Sequence, residues 1–598
     1  MPAKICTREQ ADPKYVWDLT HLFKNKGEWE EAYKGAEAKI KDVSALKGTL
    51  GESAQSLKQG FETYMDAFRQ IELVYLYAFL TVSTDNGNPE YQAMRDRAGK
   101  LMVRGQTAAA FWMPEILAIP EDRLKEYTLD PLLSTYRHIL EDIARNREHI
   151  LDEERERMLA MLGDAAQGPD NCFTMLESVD MRFPQIKDED GNPVELTHAN
   201  FSVFRESRVQ SVRKEAFEKY FGEFNKYINT FAAMYASSVK FDQYFSDVRG
   251  FKNTAEASLF QNNIPVKVLD SLIEAVHSGF PAMQRYLQMR KKVMKLETLN
   301  MYDLYCPMVE EQSFSIPYEE GKKLVKEALK PLGGEYGKLL DTAFENSWID
   351  VYENRGKTTG AYSCGVYGVH PYVLLNYQDK LDDAFALAHE LGHAMHSFKS
   401  SLAQDFANHD YSTMVAEVAS TVNEVLLTKH LLSRETDKKR RAHILNKFLE
   451  GFRTTVFRQT LFAEFERKAH DMEQAGEPLT VDSLSKLFKN LNEQYYKGVS
   501  VTGLDSIEWA RIPHFYRAYY VYQYATGFTS AVTIATEILK TGDPSRYHEF
   551  LSAGSSDYPL AVLKRAGVDL TTPQPVISAL EVFDETISEL EKLLEETS

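Results

Sequence analysis

The chain has 598 residues, of which 43% are hydrophobic, so it is long enough to bury an extensive core. Its formal net charge of -19 argues against binding to a phosphate backbone, and we expect no nucleic-acid partner. Four scattered cysteines without CxxC pairing, Cys6, Cys172, Cys306 and Cys364, suggest neither a disulfide framework nor a cysteine zinc site.

No segment has the length of a membrane span. The longest apolar run, Leu73 to Leu80, is far shorter than the roughly 20 residues that a spanning helix needs. The N-terminus also lacks the apolar core of a signal peptide. These features predict a soluble, cytoplasmic protein with no membrane partner.

The first two hundred residues are dominated by helical periodicity. Examples are Trp29–Val43, Leu57–Thr81 and Glu153–Leu162. Two short strand-like segments follow, and the Asp-Gly step between them, Asp190-Gly191, favours a tight turn. We predict strands over 181–186 and 194–197, so that an N-terminal helical lobe, residues 1–200, ends in a small hairpin.

The rest of the chain, residues 201–598, is predicted to be one catalytic region. Its helical patterns cover Val212–Phe245, Val266–Met294, Tyr318–Glu345 and Lys438–Gly476. The segment Val366–Tyr377 is rich in β-branched and aromatic residues and bounded by glycines, which predicts a strand. If that strand lies at a sheet edge, it can bind a peptide backbone by strand addition. No Pro/Gly/Ser-rich linker separates independent domains.

A His-Glu-Leu-Gly-His sequence follows this predicted strand. His389 and His393 are four residues apart and share one face of a helix, where two ring nitrogens can bind one metal ion. A zinc ion with three protein ligands keeps a position for water and lowers its pKa to about 7, and Glu390 is placed to take the proton as general base. The frequencies of 15 His and 88 acidic residues predict about 0.05 chance occurrences per chain. The alternative, a pair of core histidines bonded to backbone, is therefore disfavoured.

The context supports a buried helix with a metal site. Asp382 and Asp383 suit a helix N-terminus, and apolar residues recur downstream at helical spacing: Phe385, Ala388, Leu391, Met395 and Phe398. The extended metzincin motif is absent, because His396 and Lys399 stand where Gly and His are required. The third ligand must come from elsewhere.

A second helix is predicted over Met414–Glu424, with Glu417 and Glu424 on one face. We assign Glu417 as the third ligand, because 24 residues after His393 leave room for a loop and a returning helix. Glu424 either orients a ligating histidine or pairs with a basic residue. His396 lies on the metal face, outside the ligand set.

Together, HELGHAMHS and VAEVASTVNE resemble the M3 family of zinc metallopeptidases, and its oligoendopeptidase F branch in particular. The resemblance extends to Tyr15–Leu19, to Gly360–Tyr377 and to Ile512–Gly527, so it covers nearly the whole chain. It implies a mainly α, multi-lobed zincin-type fold with a small β-region beside the HExxH helix and a deep substrate channel. It also implies one Zn²⁺ per chain and a cytosolic endopeptidase acting on short peptides.

The resemblance also suggests residues outside the metal ligands. Gly360–Tyr377 resembles the family's substrate-side segment, with Gly365, Tyr367, Gly368 and His370 as candidates together with Tyr524; the two glycines suit either close approach of substrate backbone or an ordinary turn. Hydrolysis needs a donor for the oxyanion, and the family places such donors near His514. We favour His514 with Tyr522, then Tyr519, although a tyrosine-rich helix is more often a packed wall.

Three functions remain open from the sequence. The first is a zinc-dependent endopeptidase that hydrolyses internal bonds of short, unstructured peptides. The second is a carboxypeptidase or dipeptidyl carboxypeptidase of similar fold, which needs a group that binds a peptide terminus. The third is a non-catalytic peptide-binding protein, which the intact set of predicted ligands and base disfavours.

Overall fold

The structure is a computed structural model, and it describes residues 5–310, 312 and 315–596. The first four residues, part of the N-terminus on which the cytoplasmic expectation rests, lie outside the described residues. Within the described ranges, no helix is both long and apolar enough to cross a bilayer.

Helices make up most of the chain. The first third contains α1 Lys26–Ala45, α2 Ala54–Thr84, α3 Pro89–Ala108, α4 Trp112–Ala118, α5 Glu121–Leu129, α6 Arg137–Arg145, α7 Glu153–Ala166 and α8 Gly168–Met175. Then follow α9 His198–Arg205, α10 Gln210–Lys226, α11 Ile228–Val248, α12 Thr254–Phe260, α13 Val266–Ser278, α14 Phe280–Val293, α15 Tyr318–Ala328 and α16 Gly333–Glu345. The remainder contains α17 Leu381–Ala403, α18 Thr413–Arg434, α19 Lys438–Gly451, α20 Arg458–Gln474, α21 Val481–Tyr495, α22 Tyr522–Thr541, α23 Ser545–Leu551, α24 Pro559–Arg565 and α25 Gln574–Glu595. The predicted helices are confirmed, and the longer predicted stretches are each divided into two.

Two small sheets interrupt the helices. Strands β1 Gln185–Lys187 and β2 Pro193–Glu195 pair antiparallel, which confirms the predicted hairpin. The predicted extents are too long, since 181–184 and 196–197 lie outside both strands. Strands β3 Ile349–Asp350, β4 Tyr362–Cys364 and β5 Tyr372–Leu374 form a mixed sheet in the order β3-β5-β4.

The strand predicted over Val366–Tyr377 lies before α17 as expected, but its predicted extent is wrong. Only β5, residues 372–374, is a strand, and it lies in the centre of its sheet rather than at an edge. The preceding residues turn instead, because the amide of Val369 donates to the carbonyl of Val366 and Gly368 has a φ of +77°. The edge strand next to α17 is β4, which the sequence pattern did not single out.

Residue contacts divide the chain into two compact units. The first comprises Met1–Glu148, Ser313–His430 and Ile534–Gly567, and the second comprises His149–Gln312, Leu431–Thr533 and Val568–Ser598. Each unit is built from segments that are distant in the sequence. The boundary predicted near residue 200 falls inside the second unit, just after the hairpin, and the division into 1–200 and 201–598 stays a prediction.

In the first unit, α1, α2 and α3 pack around buried apolar side chains. Trp29 is fully buried at the centre of this bundle, and its indole nitrogen donates to the carbonyl of Val74. A second cluster forms where Trp17, Leu80 and Tyr372 pack together and join the β4-β5 sheet to α2. The sheet is thereby held against the helices by apolar packing on one side.

In the second unit, α10, α11, α13, α20, α21 and α25 pack through aromatic side chains. Phe583 on α25 contacts Phe452 and Phe457, with ring centroids 5.2 and 5.4 Å away. Phe452–Phe457 is a short π-helix between α19 and α20. The core of this unit also contains buried charge: the carboxylate of Glu450 binds Arg290 at 2.6 Å and Arg453 at 2.7 Å.

In the first unit, α17 and α18 are in close contact at Gly392. A Cβ at this position would lie 2.5 Å from the Cα of Ser420 and 2.7 Å from the carbonyl oxygen of Ala419. Both neighbours are main-chain atoms, which cannot move aside without moving the helix. Asn423, which is fully buried, strengthens the contact by donating to the carbonyl of Ala388 at 2.9 Å. Glycine is therefore required at position 392 by packing rather than by its backbone angles.

We expect Gly392→Ala to destabilise the first unit, because its methyl group overlaps the backbone of α18. Overpacking of this kind costs about 1–3 kcal/mol in free energy of unfolding. The measurement is the thermal unfolding midpoint. The matched control is Gly99→Ala on α3, where a Cβ has no heavy atom within 4 Å and alanine is the better helix former. Equal midpoints for Gly392→Ala and the parent chain would contradict the packing argument.

Candidate active site

Helix α17 begins and is buried as its sequence predicts. The carboxylate of Asp383 accepts hydrogen bonds from the amides of Gln378 and Lys380, both at 2.9 Å, and so caps the helix start. The predicted apolar face is buried from Phe385 to Met395, and Phe398 packs on Trp348 with ring centroids 5.2 Å apart. The helix is thereby fixed, and His389 and His393 point to one side.

Helix α18 brings Glu417 to the two histidines. The Nε2 atoms of His389 and His393 are 3.2 Å apart, and Oε2 of Glu417 lies 3.5 and 3.8 Å from them. Ligand atoms about 2.1 Å from a tetrahedral zinc ion are roughly 3.4 Å from one another. The three predicted ligands thus have the donor types and the spacing that one divalent cation requires. Among the described residues they form the one group of His, Cys, Asp and Glu side chains with this convergence.

Glu424 holds His389 in the orientation that this arrangement needs. Its Oε1 lies 2.6 Å from Nδ1 of His389, so the carboxylate accepts the Nδ1 proton and Nε2 faces the other donors. Burial alone would lower the pKa of His389, but the hydrogen bond with Glu424 and the nearby carboxylates leave it raised. The sequence left two partners open for Glu424, a histidine of the predicted metal site or a basic residue. The structure shows contact with the histidine, His389.

The pKa of His393 is shifted in the opposite direction from that of His389. Burial lowers its pKa to about 4, and the positive charge of His389 acts in the same direction, so the imidazole is neutral near pH 7. A hydrogen bond with the backbone of Ala416 orients the ring. A neutral imidazole has the lone pair that a metal ligand needs.

Glu390 lies beside the three donors in a buried pocket. Its residue is 7% exposed, and burial raises its pKa to about 7. The backbone amide of Ser363 on β4 donates a hydrogen bond to this carboxylate, which partly offsets the effect of burial. A carboxylate with a pKa near the working pH can take up and release a proton.

His396 packs away from the donor group. It is fully buried, and its ring is stacked on Tyr411 with centroids 3.7 Å apart and an interplanar angle of 7°. Burial lowers its pKa to about 3, so it is a neutral packing residue. Cys364 is also unsuited to bind a cation near pH 7, because burial raises the pKa of its thiol to about 12.

The predicted substrate-side residues follow β4 as a tight turn. A Cβ on Gly365 would lie 2.7 Å from Cβ of Ser397, so glycine here lets the turn approach α17. Gly368 has a positive φ, which the turn itself requires. The hydroxyl of Tyr367 donates to the carbonyl of Gln404 at 3.3 Å. His370 is stacked on Trp348 with centroids 4.7 Å apart, and burial lowers its pKa to about 4.

His514 and the tyrosines predicted with it lie in the second unit. His514 is half-buried in a short helical turn, Pro513–Tyr516, and its Nε2 is 3.3 Å from the hydroxyl of Tyr524. Burial lowers the pKa of His514, so the ring is a neutral donor near pH 7. Tyr519 has a φ of +57°, its hydroxyl contacts Thr254 at 3.0 Å, and Tyr522 is 2% exposed.

Sequence reasoning missed three contributors. Gly392 permits the approach of α18, Asn423 joins α17 to α18, and the backbone of Ser363 orients Glu390. A glycine within an apolar helical stretch is a signal of close packing, so Gly392 could have been found. No local signal marks the other two, since their partners are 35 and 27 residues away in the sequence.

Known proteins are similar to this chain in sequence and in fold. Residues 203–582 match peptidase family M3, and residues 115–183 match the oligopeptidase F family. The chain is 42% identical to oligopeptidase PepF of Bacillus subtilis, covering 98% of this chain and 88% of the relative. It is 38% identical to an oligoendopeptidase F homolog of Lactococcus lactis subsp. lactis, covering 98% of each. The crystal structure of oligoendopeptidase-F from Enterococcus faecium is 35% identical with a TM-score of 0.73, covering 96% of this chain and 99% of that one.

The mainly α fold, the small sheet beside α17 and these relatives agree with one another. The family implies a catalytic metal, and the His389, His393 and Glu417 group has the chemistry to bind one. The chain therefore belongs to peptidase family M3 and is a metalloendopeptidase.

Proposed function

We propose that this enzyme hydrolyses internal bonds of short, unstructured peptides with one Zn²⁺ per chain, held by His389, His393 and Glu417. The observation that carries the proposal is the convergence of two imidazole nitrogens and one carboxylate oxygen at 3.2–3.8 Å from one another. Two histidines, one carboxylate and an open position are typical of catalytic zinc. The side chain of Glu417 is 48% exposed, so water and substrate can reach this group.

A bound zinc ion supplies Lewis-acid activation of water and of the scissile carbonyl. Glu390 accepts the proton of the attacking water and passes it to the nitrogen of the departing amine. The amide of Ser363 holds the carboxylate of Glu390 in place during both transfers, and Glu424 keeps the tautomer of His389 that leaves Nε2 free to bind the metal.

For substrate binding we propose the edge of β4, with Gly365, Tyr367, Gly368, His370 and Tyr524 as further contacts. An edge strand has unpaired backbone groups on one side, and an extended peptide can add to it as another strand. The sequence resemblance supports these five residues as substrate contacts. The packing of His370 on Trp348 favours an indirect contribution through the shape of the turn.

Short peptides are supported by the relatives, two of which are called oligopeptidase or oligoendopeptidase. The cytoplasmic location stays a prediction from the sequence.

The proposal is tested by metal analysis combined with the cleavage map of a peptide library of mixed lengths, before and after chelation. We expect about one zinc per chain, cleavage at internal bonds, loss of activity on chelation and recovery with added zinc. Exclusive release of residues from the C-terminus would favour the carboxypeptidase alternative. Efficient digestion of folded proteins would contradict the restriction to short peptides.

The assignment of Glu390 predicts a separation between metal binding and turnover. Glu390→Gln should retain zinc and lose about 10²–10⁴-fold in kcat, because the proton acceptor is removed while the ligands stay. His389→Ala should lose both zinc and activity. Zinc content by mass spectrometry and kcat on one peptide are the measurements. Glu121→Gln, an exposed acid paired with Lys125, is the control, and parental turnover in Glu390→Gln would reject the assignment.

We further propose, from the resemblance, that His514 donates to the oxyanion, with Tyr522 and then Tyr519 as additional candidates. His514→Gln should lower kcat by about 10²–10³-fold with little change in KM, since the donor acts on charge that develops in the transition state. Tyr519→Phe, Tyr522→Phe and Tyr524→Phe are measured beside it, and we expect an effect at no more than two tyrosines. Unchanged kcat in all four variants would show that the donor lies elsewhere.

A further inference from the structure

We propose that the second unit binds one small monovalent anion, with chloride as the physiological candidate, in a small, partly open cavity beside Tyr305. This site goes beyond the proposed peptidase function, and none of the residues assigned to that function forms it. The cavity has a volume of about 30 Å³, which is room for one ion or water-sized group. Its lining includes Arg205, Tyr305, Arg458, Asp505 and Glu508.

Three guanidinium groups surround the ring of Tyr305. The Cζ atoms of Arg205, Arg453 and Arg458 lie 3.6, 4.6 and 5.7 Å from its centroid. Arg453 projects from the π-helix that separates α19 from α20, a local distortion frequent at functional sites. Guanidinium groups stay charged in proteins, so this concentration of positive charge cannot be relieved by loss of a proton.

The neighbouring carboxylates do not balance this charge. Glu450 serves both Arg290 and Arg453, and Glu508 serves both Arg458 at 2.5 Å and Arg511 at 3.1 Å. Arg205 has no carboxylate within 4 Å among the described residues. Counting Asp505 as charged, five arginines face three carboxylates. An uncompensated charge in a partly buried site is unfavourable, so a further negative charge would stabilise this cluster.

Hydrogen-bond donors around the same ring also lack acceptors. Nε of Arg205, Nη1 of Arg453 and the hydroxyl of Tyr496 are buried and have no hydrogen-bond partner in the described part of the chain. Arg453 is 1% exposed and Tyr496 is fully buried. Each of the three groups can donate a hydrogen bond, and Arg205 lines the cavity itself, so the cluster has unused donors that an anion could accept from.

The titration behaviour of the cluster agrees with this geometry. Burial would raise the pKa of Tyr305, but the attraction of the phenolate to Arg458, Arg205 and Arg453 reverses the shift and leaves the pKa lowered. Burial lowers the pKa of Arg205, and repulsion from Arg511 and Arg458 lowers it further. The surroundings of Tyr305 therefore favour a negative charge, although the whole chain carries a net charge of -19.

The size of the cavity decides between anions. Chloride and bromide are single atoms and suit a space of about 30 Å³ that holds a water-sized group, whereas gluconate is far larger. We therefore expect the site to prefer monatomic halides to gluconate.

The test uses the full chain with its metal bound, in chloride-free buffer, and replaces sodium gluconate by sodium chloride or bromide at constant ionic strength. We expect a saturable rise of about 2 °C or more in the unfolding midpoint with either halide. A crystal grown with bromide should show anomalous scattering beside Tyr305. An ordered water with no bromide signal, or equal midpoints in gluconate and chloride, would overturn the proposal.

Substitutions test whether the stabilisation by halide arises at the cavity beside Tyr305. Arg205→Met keeps the apolar stem and removes the unpaired charge, so the halide concentration for half-maximal stabilisation should rise at least about tenfold. The matched control is Arg155→Met, which removes an exposed guanidinium of the same unit and should leave the halide response unchanged. An unchanged response in Arg205→Met would contradict the assignment. If a Tyr305 phenolate balances the charge instead, the parent chain absorbs near 295 nm in gluconate, Tyr305→Phe does not, and the anion site is rejected.

Discussion

The catalytic centre depends on the contact between two helices at Gly392. One helix carries both histidines and the proposed general base, and the other carries Glu417, so the distance between the helices sets the distance between the proposed ligands. Because main-chain atoms of Ala419 and Ser420 occupy the place of a side chain at position 392, the approach is limited by backbone rather than by flexible groups. Such a contact limits how far the donor atoms can move relative to one another, which favours a preorganised metal site.

Each reactive side chain is then held by one further partner. Glu424 binds the outer nitrogen of His389, and the backbone amide of Ser363 binds Glu390. Both partners come from elements that the apolar core positions: α18 packs on α17, and β4 belongs to the sheet that Trp17 and Tyr372 join to α2. Burial gives Glu390 a pKa of about 7 and keeps His393 neutral, so the same packing that orders the site also sets its proton affinities.

The second unit shows that net charge does not describe local electrostatics. The acidic composition argues against a nucleic-acid partner, yet arginines gather around Tyr305 with too few carboxylates to neutralise them. Buried charges respond to neighbours within a few ångströms, while surface acids are screened by water and salt. An acidic protein can therefore contain a site that attracts anions.

The sequence by itself determined the helices and the hairpin, because helical periodicity and the Asp-Gly turn are local properties of the chain. It also predicted Glu390 as the base and His389, His393 and Glu417 as ligands, and the structure brings those three side chains together. Tertiary structure alone decided that β4 rather than Val366–Tyr377 is the edge strand, since strand order depends on pairing between distant segments. It also decided that Glu424 contacts His389, that His370 and His396 are packing residues, and that Gly392 sets the helix contact. These properties depend on which residues meet in space, and no local pattern in the chain encodes that.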